Sequence, residues 1–400
     1  MNTAELAWSY VRARPLAALL SVLLLALGVA TIGFVVIVDA QVADSLNRDA
    51  RGIDLVVGAK GSPLQLILAG VYQLDAPTGN ISLHDAEALS RDPLVRRAIP
   101  VSLGDSFRGF RIVGTNHDYA DLYGGKLASG RMWSDKMQAV LGARVAASTG
   151  LRVGDRFVGS HGLVEGGPVH GDSVYTVVGV LEPTGTVLDR LVLVNTESVW
   201  FVHEGPLEDP EEQKVVAAER QVTMLLVQYA TPLAAVSLPR RINSETNMQA
   251  ASPASESARL FHIIGVGADV IRAFGGVVLV TAALSLFIAL YHALNERAYD
   301  IAVLRTLGAR PATVASMLLI EALMLAAIGC LAGLLLAHAL AAILAWTMTE
   351  QQSLRLEPWR FTRSELWLVV PASLAALLGA LLPSLRAARA DISATLARRA

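Results

Sequence analysis

Four apolar runs, each long enough to cross a lipid bilayer, constrain this chain more than any other feature of its sequence. An α-helix rises about 1.5 Å per residue, so roughly 20 apolar residues span the hydrocarbon. Pro15 to Val38 is a charge-free run of that kind. Ala273 to Asn295 is a second. Ala322 to Thr349 is a third, preceded by an apolar turn that contains Glu321, and Leu366 to Leu385 is a fourth, with Pro371 and Pro383 near its ends. One such run can be a buried helix of a soluble protein; four together point to a membrane. Their placement is uneven, with one run before a 234-residue polar segment and three after it.

Charge agrees with that division. Of the 400 residues 53% are hydrophobic and 17% charged, against about 25% charged in an ordinary soluble domain. Residues 39–272 hold 21 Lys+Arg and 27 Asp+Glu, and the rest of the chain holds 12 and 8. The middle is a mildly acidic soluble domain between apolar ends with basic flanks. It has no concentrated basic face, so no nucleic-acid partner is expected. The lone cysteine, Cys330, lies in an apolar run, and the middle domain has none. An oxidising compartment is therefore permitted without a disulfide framework.

The first run has the charged flank of a signal peptide, Arg12 and Arg14. It is too long for one, and no small-residue cleavage site follows. A retained anchor is expected. Basic residues in short loops set orientation. Arg12, Arg14, Arg297, Arg305, Arg310, Arg386, Arg389, Arg398 and Arg399 fall on one side. Arg355, Arg360 and Arg363 fall on the other, balanced by Glu350, Glu357 and Glu365. The first side faces the cytoplasm. The expected fold is an α-helical membrane protein with four transmembrane helices in a 1+3 arrangement. An α+β periplasmic domain is carried on helical stalks between the first and second spans. The expected segments are a cytoplasmic N-terminus 1–14, span 15–38, the periplasmic domain with stalks 39–272, and span 273–295. A cytoplasmic helix 296–311, span 312–349, periplasmic loop 350–365, span 366–385 and cytoplasmic tail 386–400 follow.

In the middle domain Val95 to Ser102, Phe107 to Gly114, Arg152 to Gly159, Val174 to Leu181 and Gln221 to Tyr229 read as strands. Ala143 to Gly150 and Pro232 to Met248 read as helices, and Asp44 to Ala50 and Ser257 to Arg272 as stalks. Gly205 to Glu212 is an acidic loop and Asp75 to Asn80 a tight turn by composition. No P-loop, nucleophile elbow or HExxH motif is present; the one Gly-Lys pair, Gly125-Lys126, is followed by Leu. No catalytic residue is expected. His161, Glu165 and His170 are residue types that ligate metals, but their irregular spacing among Gly and Pro fits a loop, and no metal site is expected there.

The most informative segment joins the second and third runs. Ile301, Leu304 and Leu307 recur at helical spacing, charges fill the other positions, and Gly308 is a natural helix stop. A short amphipathic helix against the membrane face is expected. In the third run Gly329, Gly333, Ala337 and Ala341 repeat every four residues and form a ridge for close helix packing, within the chain or between subunits. Glu321 is placed to snorkel or to pair with a nearby Arg. His338 lies deeper, with no partner carboxylate expected at its depth, so no proton relay is expected.

These residues resemble the permease subunits of the MacB/FtsX/LolC-LolE type of ABC transporter, also called type VII. The family's cytoplasmic segment reads R-x-x-E-I-x-x-L-R-A-x-G-A, followed by a Glu in the next helix. Here Arg297, Asp300, Ile301, Leu304, Arg305, Thr306, Gly308 and Ala309 stand in it, then Glu321. Asp300 replaces the usual Glu and Thr306 the usual Ala. Pro383 to Leu396 resembles the family's closing P-x-x-x-A-x-x-x-P-x-x-x-L stretch, with Ile392 near where a Pro is common. Gly130-Arg131 and Val140-Leu141-Gly142 resemble its G-R-x-F…V-x-L-G core.

The resemblance implies that Arg297, Asp300, Ile301, Leu304, Arg305, Leu307 and Gly308 form a coupling helix that docks into a separate cytoplasmic ABC ATPase dimer. ATP and Mg would bind that partner, with no cofactor bound directly here. It implies a second permease copy, a homodimer being simplest and a related second chain fitting equally well. An adaptor, lipoprotein or outer-membrane protein is the kind of periplasmic partner it implies, beside membrane lipid. Mechanotransmission that drives export of a periplasmic or membrane-derived cargo is the expected function. The alternatives are a lipoprotein-release permease, which calls for a cleft between the first and second spans, and an FtsX-like module that activates a periplasmic cell-wall hydrolase.

Overall fold

The computed structural model describes residues 3–162, 169–204, 209–347 and 356–389. Along the chain the helices are α1 (Thr3–Ala13), α2 (Pro15–Asp49), α3 (Pro63–Gly70), α4 (Leu83–Ser90), α5 (His117–Leu122), α6 (Ala143–Thr149), α7 (Thr196–Glu204), α8 (Pro210–Ala218), α9 (Ala234–Glu245), α10 (Pro253–Glu296), α11 (Ala298–Thr306), α12 (Pro311–Thr347) and α13 (Val369–Ala388). The strands are β1 (Leu55–Ala59), β2 (Ile81–Ser82), β3 (Val95–Ser102), β4 (Asp105–Phe107), β5 (Phe110–Thr115), β6 (Leu127–Gly130), β7 (Gln138–Leu141), β8 (Arg156–His161), β9 (Val169–Leu181), β10 (Leu191–Asn195), β11 (Gln221–Val222), β12 (Met224–Tyr229) and β13 (Met248–Ala251). Two compact units result, divided within α2 at Val42 and within α10 at Ile264.

The helical unit contains four helices long and apolar enough to cross a membrane. Proline opens three of them: Pro15, Pro253 and Pro311 each occupy the first helical position. There a missing N–H costs nothing, because the first turn has no acceptor for it, and the ring presets φ. The helices are longer than the hydrocarbon requires. At 44 residues, α10 extends about 66 Å, against about 30 Å of hydrocarbon. Pro371 falls in the first turn of α13, where its lost donor is again harmless.

Small residues set how closely these helices approach. A Cβ added at Gly329 would stand 2.7 Å from the Leu25 Cβ, and one at Gly333 would stand 2.7 Å from the Ala26 carbonyl oxygen. Ala337 faces Gly33 in the same way. The ridge on α12 therefore lies against α2 of the same chain. Gly28 meets Leu279 and Gly275 meets Ile32, which brings α2 against α10, and Gly379 of α13 meets Ala283 of α10. Without a hydrophobic drive between helices in lipid, such close backbone contact supplies the dispersion that holds a bundle.

In the α/β unit eleven strands join one sheet, in the order β10-β7-β9-β8-β4-β5-β3-β12-β1-β13 with β6 beside β9. β10 also pairs with β5 in parallel, so β5, β10, β7, β9, β8 and β4 form a closed ring of hydrogen-bonded neighbours. Phe110, Ile112, Leu141, Phe157, Tyr175 and Val192 belong to one core here. The open half, β3-β12-β1-β13, carries a second core in which Leu55, Val57, Leu225 and Val227 meet Leu238 and Ile242 of α9. Alternate residues of each strand face these cores, and the residues between them, such as Val56, Leu226, Val113 and Leu193, are also apolar and buried, on the opposite face.

The strand readings hold for β3, which matches its expected bounds, and shift elsewhere. Phe107 to Gly114 is two strands, because Arg108 and Gly109 both take positive φ (47° and 77°) and turn the chain between them. Gln221 to Tyr229 is also two strands, which serve different sheets. β1, β10 and β13 were not expected from the sequence. The stalks extend the two flanking spans as α2 and α10. The expected acidic loop lies in part outside the described residues, as do Glu350, Arg355, Ile392, Arg398 and Arg399.

Candidate coupling and transmission sites

A single residue, Arg297, separates α10 from α11. Backbone bonds continue through it, from Arg297 N–H to Ala293 and from Ile301 N–H to Arg297, so the chain bends without losing its ladder. α11 closes on a complete C-terminal motif. Ala309 N–H donates to the Leu304 carbonyl and Gly308 N–H to the Arg305 carbonyl, with Gly308 at φ +100°. This six-to-one and five-to-two pairing is the Schellman arrangement, and its left-handed position favours glycine. Pro311 then starts α12.

The apolar face of α11 turns into the bundle. Ile301 is buried with Leu290, Leu294, Val314 and Leu318, the ends of α10 and α12. Leu304 and Arg305 are half-buried, and an Arg305 Nη1 donates to the Ala388 carbonyl at 3.4 Å. Asp300 and Gly308 are exposed, and Leu307 is 79% exposed at the tip. The expected face of Ile301, Leu304 and Leu307 is thus divided between core and solvent.

Arg297 lies inside the bundle, as the arginine with which Glu321 pairs. Read as part of the docking surface, it is 7% exposed. Its Nη1 lies 3.5 Å from Glu321 Oε2, its Nη2 donates to the Tyr10 carbonyl at 3.3 Å, and its guanidinium lies 3.8 Å from the Tyr10 ring centroid. The physical reason is Glu321. A carboxylate buried among apolar helices needs a cation, and Arg297 at the α10–α11 bend supplies it. Arg14 adds an ion pair with Glu296 nearby. These contacts fasten α1 and the α10–α11 bend to α12.

His338 requires a correction. Its Nε2 lies 2.9 Å from Glu365 Oε2 and its Nδ1 lies 2.5 Å from the Pro358 carbonyl, with Trp359 and Phe361 rings against it. Both side chains are 1% exposed. Glu365 belongs to a 3₁₀ turn, Arg363–Leu368, where its Oε1 also accepts from Thr362 N–H and so caps the turn. That turn folds the carboxylate back to His338. Gln41 joins this end by two bonds with the backbone of Glu357.

In the α/β unit, the last turn of α2 and the first of α10 meet one buried polar network. Asp49 accepts from Val187 N–H at 2.7 Å and lies 3.6 Å from Arg190. Arg190 donates to the Tyr72 carbonyl at 2.7 Å, and the Tyr72 hydroxyl lies 2.5 Å from Ser257 Oγ. Tyr123 donates to the Asp49 carbonyl at 3.0 Å. Burial pulls the Arg190 guanidinium below its ordinary range, and the Asp49 charge opposes that pull. No local pattern marks this joint in the sequence, since its members are scattered from 49 to 257.

Of the three residues read as potential ligands, Glu165 and the His170 side chain lie outside the described residues. His161 is brought against Asp105 and His203 instead. Neither of those two was singled out from the sequence.

Fold and sites together define a polytopic membrane protein with a large extracytoplasmic α/β domain. Residues 18–255 match the model of the MacB-like periplasmic core domain, and residues 272–392 match the FtsX-like permease C-terminal model. The chain belongs to the MacB/FtsX-type family of ABC transporter permeases, as a multi-pass protein with its large domain in the periplasm and an ABC ATPase as partner. Among solved structures it is similar to the periplasmic region of MacB from Actinobacillus actinomycetemcomitans, at 12% identity and TM-score 0.36, over 54% of this chain and 95% of that one. It is also similar to the extracellular domain of the noncanonic ABC-type transporter YknZ from Gram-positive bacteria, at 13% identity and TM-score 0.31, over 50% and 99%. No curated protein matches the chain.

Proposed function

We propose that this permease converts ATP hydrolysis on a separate cytoplasmic ABC ATPase into a conformational change of its periplasmic domain, and that the change drives export of a periplasmic or membrane-derived cargo. The observation that carries this reading is the continuity of α2 and α10. Each runs as one helix from an apolar window to the joint made by Asp49, Arg190, Tyr72 and Ser257. A helix is the element through which a displacement at one end could be carried along its axis. No substrate path between the four spans is needed. The alternatives are a lipoprotein-release permease and a module that activates a periplasmic cell-wall hydrolase, and both would use the same two helices.

The α11 segment is the input. Leu307, Asp300 and Arg305 meet the ATPase, while Arg297 and Ile301 hold the segment to the helices and pass its motion on. Two ATPase subunits and two copies of this chain form the working unit, and nucleotide and Mg²⁺ reside on the ATPase. Burying one Leu side chain stabilises an interface by about 1.5–3 kcal/mol. Leu307→Asp should therefore weaken docking at least about tenfold. In proteoliposomes containing the permease and its ATPase, the variant should insert normally and lose stimulation of ATP hydrolysis. Wild-type stimulation by an inserted variant would sink the coupling role of this tip.

A further inference from the structure

Asp105, His161 and His203 converge outside the coupling and transmission sites. Asp105 on β4 lies directly opposite His161 on β8 in the antiparallel register, so their side chains share a face. His203 comes from the last turn of α7. One Asp105 oxygen lies 3.1 Å from His161 Nδ1, and the other lies 3.8 Å from His203 Nε2. The two imidazoles stack at 5.3 Å between centroids. One candidate ligand atom from each residue lies within 4.8 Å of the other two.

We infer that these three residues form a binding site for a divalent transition metal of the zinc class. Zinc binds imidazole nitrogen and carboxylate oxygen at about 2.0–2.2 Å, so tetrahedral ligand atoms lie about 3.3 Å apart. The Asp105 distances bracket that value. The wider separation closes by rotation of the two imidazoles, which are 43% and 41% exposed on their side chains, toward an Asp105 side chain that is 3% exposed. The strands that supply the ligands are already fixed. Ser106 Oγ donates to the Gly162 carbonyl at 2.5 Å, and Gly162 N–H donates to the Gly104 carbonyl at 3.0 Å.

Donor chemistry selects the ion. Two nitrogens and one carboxylate suit zinc and its neighbours, whereas Ca²⁺ and Mg²⁺ require oxygen ligands. Three protein ligands leave a fourth tetrahedral position for water or an exogenous group. A cation here would cross-link β4 and β8 of the closed ring to α7. An ordinary histidine–carboxylate ion pair is the competing account. It predicts no ion binding.

The test uses the full chain in detergent, freed of any affinity tag and stripped with chelator. Titration calorimetry with Zn²⁺ should give one ion per chain, and Co²⁺ should give the intense visible absorption of a four-coordinate site. Loss of an outer-sphere partner typically weakens metal binding 10–100-fold, so loss of a ligand should cost at least about 100-fold. Asp105→Asn should show that loss. Because its side chain is buried, His203→Gln, at a half-exposed position, serves as the variant least able to disturb folding. Binding unchanged in a His161→Ala, His203→Gln double variant would overturn the assignment, as would a wild-type chain that binds no Zn²⁺.

Discussion

Replacing Arg190 with Met removes the cation at the stalk joint while keeping most of the side-chain volume. The Asp49 carboxylate, 2% exposed, then retains the Val187 N–H as its close partner within the domain. At 3.6 Å the pair attracts by roughly 4–5 kcal/mol in an effective dielectric of about 20. Breaking one partner of a buried pair costs about 3–5 kcal/mol in practice. Arg190 also releases the Tyr72 carbonyl, so the upper half of that range is expected. Hydrogen exchange of the intact chain in detergent reads this locally. At about 1.4 kcal/mol per tenfold, amides of Val187 and β10 should exchange roughly 700- to 4,000-fold faster. A double variant, Arg190→Met with Asp49→Asn, should recover much of the loss, because it leaves no buried charge unpaired. Exchange within tenfold of wild type in the single variant would refute the reasoning. So would a double variant whose loss equals the sum of the two single losses.

Two other outcomes follow from packing and burial. Gly333→Val should lower the melting temperature of the detergent-solubilised chain well below that of Gly276→Val, since the first places a Cβ 2.7 Å from the Ala26 carbonyl and the second meets nothing within 4 Å; overpacking of this kind costs about 1–3 kcal/mol, and equal melting of the two variants would count against the α2–α12 contact. Burial pushes the Tyr119 and Tyr175 phenols up from the ordinary value, and burial together with Asp54 pushes Tyr229 up to about 12. Folded values above the unfolded value mean that this stability is present below pH about 10 and is lost as pH rises from there toward 12. Phenolate absorbance should show Tyr229 ionising near the top of that window and the other two only on unfolding; all eight tyrosines titrating together near 10 in the folded chain would contradict it.

What the sequence disclosed follows from the range of the interactions involved. Spans, proline starts and the Gly308 stop depend on composition or on neighbours within a turn, and those were legible. The small-residue ridge was legible as a ridge, but which helix it meets was not. Arg297 looked like a surface charge because its neighbours are charged; only the proximity of α12 reveals that Glu321 claims it. His338 looked unpaired because Glu365 precedes the fourth span, and the 3₁₀ turn that returns it to His338 carries no strong sequence signal. Asp105, His161 and His203 span 98 residues, and no periodicity links them. The ring closes through the β10–β5 pairing, which joins Leu191 to Arg111, likewise with no local signal.

That closed ring bears on how the domain shares a crowded compartment. A strand whose two sides are both hydrogen-bonded offers no template to a passing chain, and barrels remove such edges altogether. Six strands here are satisfied in that way. The open half of the sheet ends on β13, only four residues long. Around the ring, a neighbouring protein therefore meets side chains rather than unpaired backbone.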